Sequence, residues 1–415
     1  MQPEAVFGVV RRGVSARIPE CSPLVVAMDD TVSRKRGRKI PGAAWRRDPM
    51  GPHFRTQFLW GRRFLQFSAI LPPDRQAAPG RAIPIAFEHA PPPKKPSRTD
   101  PDEAWKAYRE ACRRESLGRQ AVRRLSALRE DMDGDPGARR ALWVVADGGY
   151  TNKTVLRYLP ERTTFIGRIR ADAQLHEPPY PREKGSQGRR PLYGAALPTP
   201  EEIRQDPAIP WHTARIYAAG KMHEMRYKTV SPVLWRAAGA ALRFRLIVIA
   251  PLRYRPSLRS KLLYRNPAYL VCTDPSQAAE EVIQAYVGRW DIEVNFRDEK
   301  QLIGFDEAQV RTESSARIAP ALAVSAYAIL LLAATRAFGV NGVPAVLPPP
   351  KWRQRIPPPR ASTASLMNQL RHDLWARAIG DRNFSHFAST SASDTKPEKY
   401  LPSLPSLLFY AQPAA

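Results

Sequence analysis

Two strand-end carboxylates and a polar stripe on one helix are the parts of this sequence best suited to chemistry. Asp29 and Asp30 close a short apolar run, LVVAM, at 24–28. Asp147 closes a second run, ALWVVA, at 141–146, and Gly148 and Gly149 follow it. A carboxylate at the end of a buried strand is held rigidly and points into a shared cleft. Asp also caps the turn after many strands, so each one alone supports that plainer reading. A helix predicted over 276–302 carries Tyr286, Arg289, Glu293 and Lys300, at offsets of 0, 3, 7 and 14. At about 100° per residue these fall at roughly 0°, 300°, 340° and 320°, one stripe about 60° wide. Charge pairs on a solvated face would produce the same spacing. Here Ile283, Trp290, Phe296 and Ile303 surround the stripe, which points to polar groups gathered in a site.

The chain that carries these groups has 415 residues and a net charge of +26, from 65 Lys and Arg against 39 Asp and Glu. Such an excess argues against an ordinary metabolic enzyme. It favours a polyanionic partner, either nucleic acid or an anionic membrane surface. A hydrophobic content of 43% excludes wholesale disorder. Cys21, Cys112 and Cys272 are too dispersed for a disulfide framework or a CxxC zinc site, and they point to a reducing compartment. No long apolar signal-peptide core is present near the N-terminus. The apolar stretch 318–334 contains Pro320, Ser325 and Tyr327. It is shorter than the ~20 residues of a usual span and is read as a buried core helix.

The elements that must position the polar groups follow from periodicity. Strands are predicted at 24–28, 53–71 and 81–87, two of the three plausibly paired as a hairpin, and the latter two end at Pro or polar clusters. A long helix is predicted over 102–132, capped by Asp100 or Asp102. After the strand that ends at Asp147 come a short helix at 152–158 and a strand at 163–170. From 171 to 266 Pro and Gly are frequent and the apolar runs are strand-like, notably 214–218, 229–235 and 242–251. A strand at 268–272 then leads into the helix of the polar stripe, with Asp274 or Ser276 as its cap. A Pro-rich linker, a short helix at 365–379 and a Ser/Pro-rich tail close the chain.

The run YVGRWDIEVNFRDEK fits Y-x2-R-x3-E-x6-K without a mismatch. It resembles the signature of bacterial insertion-sequence transposases of the DDE superfamily, in the group with a β-rich insertion. AMDDTVSRKRG resembles the first-Asp strand of that family, VVADGGYTNK the second-Asp strand, and KQLIGFDEAQVR the continuation after the signature Lys. The resemblance spans about 24–337.

This resemblance implies an α/β fold: a ribonuclease H-like mixed sheet flanked by helices, with a β-rich insertion between the second Asp and the Glu. The implied organisation is a short N-terminal segment (1–23), the first part of the core (24–170), the insertion (171–266), the closing part with the signature helix (267–340), and a Pro-rich linker and tail (341–415). Asp29 on the first strand, Asp147 on the fourth and Glu293 are the implied catalytic residues and metal ligands. They would hold two Mg²⁺ or Mn²⁺ ions, whose hard character suits oxygen donors. The Asp-x-Thr pattern fits Asp29 with Thr31, and Asp30 stays open as the alternative first ligand. Tyr286, Arg289 and Lys300 are the implied phosphate contacts, with Arg a bidentate partner and Lys a point charge. The implied activity is metal-dependent cleavage and strand transfer at the terminal inverted repeats of a DNA element. The partners are those ends and target DNA, with a homodimer assembled on DNA in the cytoplasm and no membrane.

Some relatives flip a base onto an aromatic residue of the insertion. Trp211, Trp235, Tyr264 and Tyr269 are candidates here, with core packing the plainer role for each. Relatives usually carry a helical DNA-binding domain before the first Asp, and only 28 residues precede Asp29. The alternative expectation is therefore a truncated or decayed transposase that binds DNA without catalysing transposition.

Overall fold

The computed structural model describes residues 2–48, 51–52, 54–72, 80–134, 140–180, 189, 191–218, 220–255, 260–340 and 360–378. Contacts divide the chain into two units, Met1–Ser325 and Ala326–Ala415. The predicted linker and most of the tail lie outside the described residues, as does the far end of the helix predicted at 365–379.

The first unit opens with a helix that the sequence reading did not anticipate, α1 (Pro3–Ser15), which buries Phe7, Val10 and Val14. Arg11 fastens it to the sheet by donating to the Ile85 carbonyl at 3.1 Å. Four strands follow where three were predicted: β1 (Leu24–Arg34), β2 (Ala44–Arg47), β3 (Phe58–Leu71) and β4 (Arg81–His89). The helix predicted over 102–132 is two helices, α2 (Asp102–Arg114) and α3 (Leu117–Asp133). They part at Glu115 and Ser116, and Ser116 takes the extended backbone of an N-cap. Next come β5 (Leu142–Ala146), α4 (Lys153–Leu156) and β6 (Thr163–Arg168).

The core of the sheet runs in the order β4-β3-β1-β5-β6. β1, β5 and β6 are parallel, whereas β3 and β4 are antiparallel to their neighbours. The short β2 adds an edge pairing to the outer end of β3, so the strand before Asp147 is fifth in the chain and not fourth. Burial explains the order. β5 is buried at every position, and β1 is buried from Leu24 to Met28, as expected of strands covered on both faces.

The stretch 171–266 contributes β7 (Leu175–His176), β8 (Ala196–Leu197), α5 (Pro200–Gln205), β9 (His212–Ala218), β10 (Lys221–Trp235), β11 (Phe244–Ile249), β12 (Arg253–Tyr254) and β13 (Leu263–Tyr264). Among the described residues, only β12 and β13 form a sheet of their own. β14 (Ala268–Cys272) pairs with β6 on one side and β11 on the other, so the insertion strands extend the core sheet.

The segment predicted as one helix over 276–302 is α6 (Ala279–Gly288), α7 (Asp291–Asp298) and a π turn, Glu299–Ile303. α6 begins without a side-chain cap. Asp274, one of the two expected caps, instead accepts from Ser276 N at 3.0 Å in the preceding turn. Gly304 ends the π turn at φ 68°, a backbone conformation that glycine adopts without strain. α8 (Glu313–Phe338) is long and apolar enough to cross a membrane, and half of its apolar window is buried. In the second unit, α9 (Thr363–Ala378) begins at Thr363, whose hydroxyl lies 3.4 Å from that of Tyr327.

Candidate active site

The register of β1 and β5 sets the site. Their parallel pairing ends at Met28 opposite Ala146, so Asp29 and Asp147 are the next residues on adjacent strands, which lie about 5 Å apart. The sequence places Asp29 at the end of its strand, but the strand runs on past it. β1 continues to Arg34 because β3 keeps pairing with it after β5 has stopped. Asp147 starts the turn that follows β5 and is exposed. Tyr150 N donates to its carbonyl at 3.0 Å. Asn152 then caps α4 by accepting from Thr154 N and Val155 N, so the turn after Asp147 is tightly held.

Alternation sends Asp29 and Asp30 to opposite faces. Asp29 faces the signature segment, where Arg289 Nη1 lies 2.8 Å from Asp29 Oδ2 and 3.6 Å from Glu293 Oε1. Asp30 faces away from it: it accepts from the Tyr150 hydroxyl at 2.7 Å and pairs with Arg63 at 3.2 Å. Tyr150 and Arg63 were not singled out in the sequence. Tyr150 could have been, since it closes the glycine turn three residues after Asp147.

The electrostatics centre on Arg289. Burial pushes the Asp29 carboxyl up to about 7; Arg289 and the Asp30 N–H pull it back, while Asp30 and Glu293 push further. Burial disfavours the Arg289 charge, yet Asp29, Tyr286, Asp147 and Glu293 together outweigh it and hold its pKa above the usual arginine value. Tyr286 is raised by burial first, with Arg289 opposing and Asp147 adding to the rise. Asp29, Asp147, Glu293, Tyr286 and Arg289 therefore share one electrostatic neighbourhood. Lys300 sits at its rim. Burial lowers its pKa, while Glu299 and Glu293 raise it.

The single 60° stripe does not survive, because the interruption near Arg289 and the π turn break regular helical phase. Tyr286 packs against the core cluster instead, and Glu293 is 40% exposed at the side chain.

Among the described residues, no three His, Cys, Asp or Glu side chains stand close enough to share one ion. The donor chemistry nonetheless fits a hard divalent cation. Two carboxylates already meet around a cationic group, the Arg289 guanidinium, and Asp29 is destabilised as an anion by its burial.

The aromatic candidates separate by environment. Trp235 and Tyr269 are buried, and Tyr269 hydrogen-bonds Glu201. Trp211 is flanked by Lys228 Nζ at 4.8 Å and the Arg226 guanidinium at 5.3 Å from its ring centre. Tyr264 is 61% exposed on β13.

The strand order β4-β3-β1-β5-β6, with acids at the matched ends of the β1–β5 pairing, defines a ribonuclease H-like protein. Residues 136–241 match the family described as DDE superfamily endonuclease, which supports an enzyme of the DDE type. The matched stretch contains Asp147 and runs from just before β5 to just after β10. An endonuclease-type activity follows from it. No curated protein matches the chain.

Proposed function

We propose that the chain is a transposase that cleaves DNA at the ends of an insertion element and joins them to target DNA. The observation that carries this reading is the convergence of Asp29 and Glu293 on Arg289 beside Asp147, at the point where β1 and β5 part. Asp29, Asp147 and Glu293 would hold two Mg²⁺ or Mn²⁺ ions. When bound, these supply Lewis-acid activation of a water or 3′-hydroxyl and charge stabilisation at the leaving oxygen.

The protein's own groups do the rest. Arg289 neutralises the carboxylates in the free protein. It then turns its guanidinium to a phosphate, for which its planar fork is suited. That exchange frees the carboxylates at the moment DNA arrives. Tyr286 holds the guanidinium from one side, its ring centre 6.0 Å from Arg289 Cζ. Lys300 adds a point charge at the rim. The net charge of +26 supplies sequence-independent DNA affinity. Assembly as a homodimer on paired ends, in the cytoplasm with access to the nucleoid, belongs to the same reading.

One observation favours a second reading, in which a decayed transposase binds DNA without cutting it: Arg289 stands between Asp29 and Glu293, and among the described residues no three carboxylates converge. A Mg²⁺-dependent cleavage assay on the element's own terminal DNA separates the two. Wild-type chain should cut, and Asp147→Ala and Glu293→Gln should not, while both variants keep DNA binding. Binding without cleavage by the wild type, in Mg²⁺ and in Mn²⁺, selects the second reading.

A further inference from the structure

The sheet face that carries Asp29 runs on to a surface that the cleavage chemistry does not use. Cross-strand pairing places Asp29 opposite Gln66, Thr31 opposite Phe64 and Ser33 opposite Arg62, and alternation keeps these on one face. Lys35 N donates to the Trp60 carbonyl at 2.9 Å, continuing the pairing. β2 then pairs Trp45 with Trp60 and Arg47 with Phe58, so Trp45, Trp60, Arg47 and Phe58 share a face of the β2–β3 ribbon.

This end of the face is open. Trp45 is 69% exposed and Phe58 63%. The Trp45 and Trp60 rings meet edge to face at 5.7 Å. Trp60 Nε1 donates to the Gly37 carbonyl at 2.9 Å, which ties the indole to the basic loop after β1. Gly61 lets β3 approach β1 here, since a Cβ would lie 2.5 Å from the Ser33 carbonyl oxygen.

Exposed aromatic rings on an edge ribbon mark a binding surface. Charge decides the occupant. Residues 34–63 hold ten Lys and Arg and one acid, Asp48. Arg34 pairs with Asp48, Lys35 and the buried Arg62 with Asp306, and Arg63 with Asp30. The other six, Arg36, Arg38, Lys39, Arg46, Arg47 and Arg55, keep this end of the ribbon basic. Two copies meeting at this face would bring two such excesses together, whereas a polyanion neutralises them. Duplex DNA hides the faces of its bases; unpaired bases offer them to aromatic rings. Between this end and Asp29 the face is covered, because Arg62 and Phe64 are fully buried against Asp306 and Phe305, so the open ribbon is a surface separate from the carboxylates.

We propose that the Trp45–Trp60–Phe58 face of the β2–β3 ribbon binds an unpaired stretch of DNA by base stacking, with Arg47 and the 34–39 loop on its phosphates. This rests on the DNA-cleaving function proposed above.

The test uses the full chain in chelator, so that nothing is cut, with a labelled 20-nucleotide mixed-sequence strand and the matching duplex. Trp45→Ala and Phe58→Ala should each weaken single-strand binding about tenfold or more and change duplex binding less than about twofold. The salt dependence should stay the same, because no charge is removed. Trp45→Phe keeps a ring and should bind nearly as wild type, which separates stacking from misfolding. Equal losses on both substrates, or no loss on either, overturn the proposal and leave the cleavage function standing. A wild-type dimer that Trp45→Ala converts to monomer, with single-strand binding unchanged, also overturns it in favour of self-association. Wild-type chain that binds neither substrate overturns the DNA-cleaving function as well.

Discussion

Glu299 offers a sharp test of how the signature segment is built. Its side chain is fully buried, with only the Gln66 amide to donate to its carboxyl among the groups that act on it. Burial pushes its pKa up to about 8; nearby Gln66 and Lys300 pull it back and Asp298 adds to the rise. The folded chain therefore keeps a proton that the unfolded chain, with a carboxyl near 4.5, has released. Between those two values the folded state binds more protons, so stability falls as pH rises and levels off above about 8. Glu299→Gln keeps the shape and removes the ionisation. At pH 5 the variant should exceed wild type by roughly 1 kcal/mol from this effect, and at pH 8.5 by nearly 5, a widening of roughly 4 kcal/mol at most. Water reaching the site would reduce that value without changing its sign. Urea unfolding of both chains at the two pH values measures it. A gap between variant and wild type that is the same at both would refute the argument, since an uncharged amide then has no advantage that depends on pH.

The remaining predictions concern the frame of the site. Asp306, at φ 61°, anchors the loop after the π turn through Arg62 and through Lys35 Nζ at 3.1 Å. Asp306→Asn should cost about 3–5 kcal/mol in thermal or urea unfolding, because it leaves the buried Arg62 without its carboxylate. Asn152→Ala removes the cap of α4 and should cost about 1 kcal/mol; an unchanged unfolding midpoint would show that the cap contributes nothing. In the cleavage assay, Asp29→Asn should be inactive and Asp30→Asn should keep activity, since only Asp29 faces Arg289 and Glu293; the opposite result would reverse the assignment.

Local pattern went far here, because the central strands contain short apolar runs, LVVAM in β1, LWVVA in β5 and AYLVC in β14, and strands buried on both faces look like that. β5, β6, β11 and β14 lie where such runs lie. Short or polar elements escaped. β2 is AWRR, four residues whose strand state depends on pairing with β3 and not on any periodicity. α1 lies in what reads as a short N-terminal segment until Phe7, Val10 and Val14 find a surface to cover. The break between α2 and α3 at Glu115 and Ser116 was hidden because both halves are good helix formers. Regular phase was assumed from Tyr286 to Lys300, and the interruption near Arg289 and the π turn both violate it. A π turn has no compositional mark; here it ends at Gly304 and accompanies the burial of Glu299, neither of which announces an extra residue per turn.

The two adjacent aspartates show most clearly what pairing adds to a pattern. Alternation alone says that Asp29 and Asp30 face opposite sides, but not which side meets the signature segment. That choice depends on β3 continuing past the end of β5 and on which face α6 and α7 cover. Once both are placed, the two carboxylates have different resources. Asp30 has its hydroxyl and its cation, Tyr150 and Arg63, from the sheet and the adjoining turn. Its charge is balanced whatever the signature segment does. Asp29 draws its cation from that segment, through Arg289. A displacement of Arg289 towards a phosphate would leave Asp30 unaltered and would leave Asp29 a buried carboxylate beside Asp30 and Glu293 with its counter-charge gone. A group in that position must take up a proton or a different cation. If the chain cleaves DNA as proposed, Asp29 would for this reason be the residue at which DNA contact and cation demand are coupled, while Asp30 stays held by Tyr150 and Arg63.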